Sequence, residues 1–154
     1  MNNDKALRDH LLELLEGKSA HIGLEPALKD FPTDKINEKV GVSPHTAWQL
    51  LEHIRIAQWD ILDFSRNANY KQMKWPDDYW PKKDGTADQW HDSLRQVLSE
   101  LQEMRDLVAN ASVDLFAKIP WGNGQTILRE ALLIADHNAY HLGQIVLIKR
   151  MLQK

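Results

Sequence analysis

Residues 127–152, with the sequence ILREALLIADHNAYHLGQIVLIKRML, form the most apolar run of the chain. Apolar residues recur along it at steps of three and four on two adjacent stripes, which predicts a long helix buried by more than one neighbour. Within this run His137 and His141 are four residues apart and therefore lie on one face of the helix, one turn apart. Two neutral imidazoles placed in this way can bind a single divalent metal ion.

Two helices are predicted in the first half of the chain. Leucines at helical spacing predict the first over Asp4–Glu16, and Gly17 is its expected stop. The second is predicted to begin at Ser43-Pro44, with the serine as N-cap and the proline at the first helical position. Its apolar stripe fades within residues 65–69.

Two more helices complete the predicted fold. Thr86 is the candidate cap of the third helix, whose apolar seam runs from Trp90 to Val108. The fourth is predicted to begin near Gly124 and contains the histidine pair. No segment alternates as a strand would, so the chain is predicted to be all-α, a four-helix bundle that forms a single domain over residues 1–154.

Long connections are predicted after the first and second helices. Prolines and glycines break residues 18–42, where only a short helical turn at 26–29 is expected. Residues 70–84 are rich in aromatic residues and proline, and include Trp75 and Trp80. Such a segment is either a lid over a site or a connection whose rings pack on the helices, and the sequence favours neither interpretation.

Composition excludes several classes of protein. The formal net charge of -3 argues against a basic surface for nucleic acid. No run approaches the roughly 18–20 apolar residues that cross a bilayer, and no signal-peptide pattern opens the chain, so we expect a soluble cytoplasmic protein without a membrane partner. Cysteine is absent, so a metal must be held by His, Asp or Glu, and a thiol nucleophile must come from another molecule.

A third ligand for the histidine pair must come from another helix, because metal sites in bundles are built from facing helices. His53 is the best candidate, since it lies among apolar residues where an unpartnered ring costs free energy. His45, about two turns earlier, is the alternative. The remaining histidines lie in polar surroundings and are expected at the surface: His10, His21 and His91.

A site of three histidines leaves one position of a four-coordinate ion open for water or substrate, as in catalytic sites. Polar residues that can orient the imidazoles are Asp60, Asp136 and Gln144. The alternatives are that Asp136 is a solvated charge and that Gln144 is a satisfied polar residue one turn past His141. No histidine has a glutamate three residues before it, which argues against a di-iron site, and Asn138 stands where a zincin protease needs glutamate. No catalytic residue can be assigned.

The chain resembles the DinB-like (DinB/YfiT) superfamily of metal-binding four-helix bundle proteins. The resemblance covers nearly the whole chain and rests on the order of the helices, on Leu50-Leu51-Glu52-His53-Ile54, and on His137-x-x-x-His141-x-Gly143-Gln144. It implies that His53, rather than His45, joins His137 and His141 in holding a divalent metal ion, commonly zinc or nickel. It also implies a homodimer, since relatives are often dimeric.

The resemblance implies that some relatives are thiol-dependent transferases or isomerases, whereas many others have no known activity. The leading expectation is a transferase in which the metal activates a low-molecular-weight thiol, with a hydrolase second. The small-molecule substrate would occupy the open position of the ion. Two alternatives stay open: a non-catalytic metal-binding bundle that acts in interactions or stress response, and a helical dimerisation module in which the histidines hold no metal.

Overall fold

The structure is a computed structural model that describes residues 3–153. Its helices are α1 (Asn3–Glu16), α2 (Leu24–Leu28), α3 (Ala47–Arg66), α4 (Ala87–Ala109) and α5 (Ile127–Leu152), with one turn of 3-10 helix at Thr33–Lys35. Residues 3–153 contain no β-strand; one isolated antiparallel bridge pairs Lys118 with Thr126. The predicted all-α class is therefore confirmed, and the short α2 lies where one helical turn was expected.

The start of α3 corrects the predicted N-cap. Thr46, not Ser43, caps the helix: its hydroxyl oxygen accepts the Gln49 backbone N–H, and Gln49 Oε1 accepts the Thr46 backbone N–H. The hydroxyl of Ser43 instead donates to the His45 carbonyl, and Pro44 lies outside the helix. A reciprocal capping box needs Glu or Gln three residues after the cap, which Thr46 has and Ser43 lacks.

The other two long helices in the second half of the chain also begin at threonines. Thr86 caps α4 through the same reciprocal arrangement with Gln89, which confirms that prediction. The helix α5 begins at Ile127 rather than near Gly124, because Thr126 accepts the Arg129 backbone N–H at 3.2 Å. Gly124 itself has φ +109, a backbone conformation that does not belong to a right-handed helix.

The core lies between the long helices, with α3 packed against both α4 and α5, and α1 packed against the same two helices. Its largest fully buried apolar side chains come from all parts of the chain: Leu28, Ile36, Leu50, Leu51, Ile54, Leu62, Trp90, Met104, Leu115, Ile134 and Ile145. The middle of α3 therefore faces the middle of α5, where the histidine pair lies. In the described part of the chain, no helix has the length and apolar character needed to cross a membrane.

The segment between α3 and α4, residues 67–86, is fastened to the rest of the molecule near its end. The Trp48 indole donates to the Lys83 carbonyl at 3.0 Å, and the Asn37 side chain exchanges two hydrogen bonds with the Gly85 backbone. A Cβ at Gly85 would lie 2.3 Å from the Trp48 ring, so only glycine permits this approach. These contacts hold the segment against α3.

Candidate metal centre

The structure brings His53, His137 and His141 together, as the sequence predicted. One ring nitrogen from each lies within 4.8 Å of the other two. The closest pair is His53 Nε2 and His137 Nε2, at 3.1 Å. His53 is 2% exposed and His141 is 9% exposed, while His137 is partly buried. One side chain from α3 and two from α5 thus meet at the contact between these helices.

Hydrogen bonds at Nδ1 fix the orientation of two of the rings. His53 Nδ1 lies 2.8 Å from the Tyr79 carbonyl oxygen, and His141 Nδ1 lies 2.8 Å from Gln144 Oε1. Because a carbonyl oxygen only accepts, the proton of each neutral ring is on Nδ1 and the lone pair is on Nε2. Gln144 therefore has the orienting role that the sequence predicted for it, whereas the role of Tyr79 was not predicted.

Asp60 does not contact an imidazole, although the sequence suggested that it would orient one. Its two oxygens accept the hydroxyls of Tyr70 and Tyr79, at 2.9 and 2.6 Å. Burial, and next the bond to this carboxylate, raises the pKa of both tyrosines well above the ordinary value. Asp60 therefore holds the side chain of the residue whose backbone carbonyl accepts from His53. Asp136 is exposed, which fits its reading as a solvated charge.

Trp80 covers one side of the site. Its ring stacks on His53 with centroids 3.9 Å apart and on His45 with centroids 4.0 Å apart. His45 therefore contacts Trp80 and stands outside the three-histidine cluster. Trp75 is 66% exposed, and its ring centroid is 6.2 Å from that of His53. The aromatic segment thus packs one of its two tryptophans onto the site.

The cluster favours neutral imidazoles. Burial, followed by the proximity of His141 and His53, lowers the pKa of His137 to about 4. Burial also lowers the pKa of His53 and of His141. A protonated ring cannot bind a metal ion, so these shifts keep the site in its binding-competent form at neutral pH. By contrast, His10, His21 and His91 are exposed, as predicted.

The donor set fits a divalent transition metal. Imidazole nitrogens suit zinc and nickel, and two nitrogens bound to one tetrahedral zinc lie about 3.3 Å apart, close to the observed 3.1 Å. His137 Nδ1 and Asn138 Oδ1 are buried and make no hydrogen bond. Within residues 3–153 the cluster consists of these three side chains, so a four-coordinate ion would keep one position for a ligand from outside.

Comparison with known proteins gives one family. A model described as the DinB superfamily matches residues 22–145, well over half of the chain, and the matched range contains all three histidines. No curated protein matches the chain. No solved structure matches it either.

Proposed function

Since the chain belongs to the DinB superfamily, we propose that it binds one divalent metal ion through His53, His137 and His141 and acts as a metal-dependent enzyme. The observation that carries the proposal is the 3.1 Å separation of two Nε2 atoms beside a third buried imidazole. Zinc and nickel are the preferred ions, since both accept imidazole ligands. The proposal includes a single four-helix bundle domain over residues 1–154 and a homodimer.

A bound divalent ion supplies a Lewis acid that lowers the pKa of a water or thiol at its open position. The protein contributes orientation and shielding. The Tyr79 carbonyl and Gln144 Oε1 direct the Nε2 atoms of His53 and His141 inward, and the Trp80 ring shields one face of His53. The chain has no cysteine, so the thiol of the proposed transferase comes from a low-molecular-weight substrate. Hydrolysis is the second proposed activity.

A non-catalytic metal-binding role is the alternative, and one observation favours it. The cluster contains no carboxylate that would serve as a general base. The two buried carboxylates on the same helix as His53 are bound elsewhere: Asp60 accepts from Tyr70 and Tyr79, and Glu52 accepts from Arg55 and Ser93. An enzyme built on this site would therefore depend on the ion and on the substrate for its proton transfers.

Metal binding is tested by titrating chelator-treated protein with zinc and with nickel and measuring metal content. We expect one equivalent per chain, and uptake below about a tenth of an equivalent would overturn the proposal. His53→Ala should weaken binding at least about a hundredfold, because one of three ligands is lost. The matched control is His45→Ala, which removes a nearby imidazole outside the cluster and should leave the stoichiometry at one.

Catalysis is tested separately, with small thiols and electrophilic acceptors supplied to the metal-loaded protein. Turnover that disappears on chelation, returns with zinc or nickel, and is absent from His53→Ala would support the transferase. Absence of turnover across a broad panel of thiols and of ester and amide substrates, in protein that holds a full equivalent of metal, would support the non-catalytic alternative.

A further inference from the structure

A cavity of about 450 Å³ lies beside the three-histidine site, between the C-terminal half of α3, the 67–86 segment and the start of α5. This volume falls within the roughly 300–1,000 Å³ of small-molecule sites. Two buried carboxylates line it, Asp60 from α3 and Glu130 from α5. The metal proposal uses Asp60 only through the Tyr79 hydroxyl and does not use Glu130 or the cavity.

The charge of Glu130 is balanced within the chain, whereas that of Asp60 is not. Glu130 Oε1 accepts from Arg129 Nη1 at 2.6 Å. Asp60 is 8% exposed and accepts only from the neutral hydroxyls of Tyr70 and Tyr79. Among residues 3–153, no Lys, Arg or His nitrogen lies within 4.0 Å of it. A buried carboxylate without a cation is unfavourable, and a cation from outside would relieve it.

Aromatic rings line the same cavity as these carboxylates. Phe64 and Tyr70 pack edge to face, with ring centroids 5.1 Å apart. Trp121 is 37% exposed and its indole donates to the Phe64 carbonyl at 2.7 Å, which holds the ring at the rim. Tyr79 lines the cavity as well. Rings of this kind attract an organic cation through their faces and bury its carbon skeleton.

We propose that this cavity binds a small molecule carrying an ammonium group, with the positive charge against Asp60 and the carbon skeleton against Phe64, Tyr70 and Trp121. Asp60 selects for the cation because no cationic side chain of residues 3–153 pairs with it. An organic cation also gains contact with the aromatic rings, which a small inorganic cation does not. The site is separate from the three histidines, and Tyr79 lies between the two.

The test uses 2-phenylethylammonium as the probe and the indole N–H resonance of Trp121 as the readout, on chelator-treated protein. We expect saturable shifts of Trp121 and none of Trp59, which is exposed on α3 and does not line the cavity. The neutral analogue 2-phenylethanol should bind at least about tenfold more weakly, because it lacks the charge. Equal binding of the two probes, no shift of Trp121, or an equal response to magnesium chloride would overturn the proposal.

Variants distinguish the charge of Asp60 from its structural role in holding the 67–86 segment. Asp60→Asn keeps the shape of the side chain and should abolish the preference for the ammonium probe over the alcohol. Tyr70→Phe removes one of the two donors to Asp60 but keeps the charge, so the preference should persist. If Tyr70→Phe also abolished the preference for the ammonium probe, the same result in Asp60→Asn would reflect a loosened 67–86 segment. The proposed role of the Asp60 charge would then be wrong. Asp9→Asn, an exposed change on α1, is the matched control and should behave as wild type.

The result is independent of the proposed metal function because no metal is present in the assay. Ammonium binding by a protein that takes up no zinc or nickel would leave the cavity proposal standing and overturn the metal proposal. Metal uptake without ammonium binding would leave the metal proposal standing and overturn the cavity proposal.

Discussion

Burial favours the neutral form of all three imidazoles, and the hydrogen bonds that oppose this effect differ among them. His53 and His141 each donate an Nδ1 proton to a carbonyl-type oxygen, and this interaction raises their pKa and partly opposes the effect of burial. His137 Nδ1 is buried and makes no hydrogen bond. Burial is the largest cause of its lowered pKa, the two neighbouring rings add to the effect, and Asn138, the smallest cause, opposes it. His137 is therefore the residue of the cluster whose protonation is most strongly coupled to folding.

We predict that His137 makes the metal-free protein less stable as the pH falls. Its pKa is about 4 in the folded protein and near 6.5 in the unfolded chain, so the unfolded state binds more protons between these values. The contribution of neutral His137 to the free energy of unfolding is complete above pH 6.5. As the pH falls towards 4, the free energy of unfolding decreases by about 2 to 3 kcal/mol. Urea unfolding of chelator-treated protein at pH 7.5, 6 and 4.5 measures this change.

Comparison with the His137→Gln variant isolates the contribution of His137 to the pH dependence of stability. Burial raises the pKa of Glu100 and Glu130, and these groups favour the folded state as the pH falls, opposite to His137. The measured quantity is therefore the difference in the free energy of unfolding between wild type and His137→Gln. This difference should shrink or change sign in favour of the variant as the pH falls, and parallel pH profiles would show that His137 does not titrate as predicted.

Local spacing explains which orienting groups were predictable. Gln144 follows His141 by three residues on the same helix, so helical periodicity alone places them together. The Tyr79 carbonyl reaches His53 from 26 residues away, and a backbone carbonyl has no sequence signature. Asp60 is bound by Tyr70 and Tyr79 instead of by an imidazole, and these contacts depend on the path of the 67–86 segment, which the sequence does not predict.

Among the elements, α3 has a cap three residues later than the sequence predicts, at Thr46 instead of Ser43. We predict that Thr46→Ala lowers the free energy of unfolding by about 1 kcal/mol, because the helix loses its cap. Ser43→Ala should change it by less than about 0.5 kcal/mol, since Ser43 lies outside the helix. Urea denaturation of both variants measures these changes. A larger loss of unfolding free energy in Ser43→Ala than in Thr46→Ala would mean that Ser43 caps the helix.

The four long helices were predictable because each carries an apolar stripe of helical period over at least three turns. The first residues of these helices were less predictable. Ser43 followed by Pro44 has the composition of a helix start, but the choice between Ser43 and Thr46 depends on the residue three positions later. Gln49 makes two hydrogen bonds with Thr46, which select Thr46 as the cap. A search for single capping residues does not consider the residue three positions later.

At the scale of the whole molecule, contacts between distant segments hold the helices in place. Arg8 on α1 is buried, and its guanidinium donates to the carbonyls of Val108, Asn110 and Val113 around the end of α4. It thereby satisfies the Val108 carbonyl, one of the free carbonyls in the last turn of α4, and fixes the chain that follows the helix. Periodicity predicted that α1 is amphipathic but gave no sign that a cation on it caps another helix.

The proposed metal site is a further contact of this long-range kind, because His53 and His137 are separated by 84 residues and meet only in the folded chain. An ion that binds the folded state alone stabilises it, by about 2.7 kcal/mol at a free concentration one hundred times its Kd. For a chain of this size we predict a rise in Tm of roughly 5 to 10 °C on adding zinc or nickel to chelator-treated protein. His91→Ala, which removes an exposed imidazole on α4, should show the full rise, and His53→Ala should show little or none. An equal rise in His53→Ala would mean that the ion binds elsewhere and does not join α3 to α5.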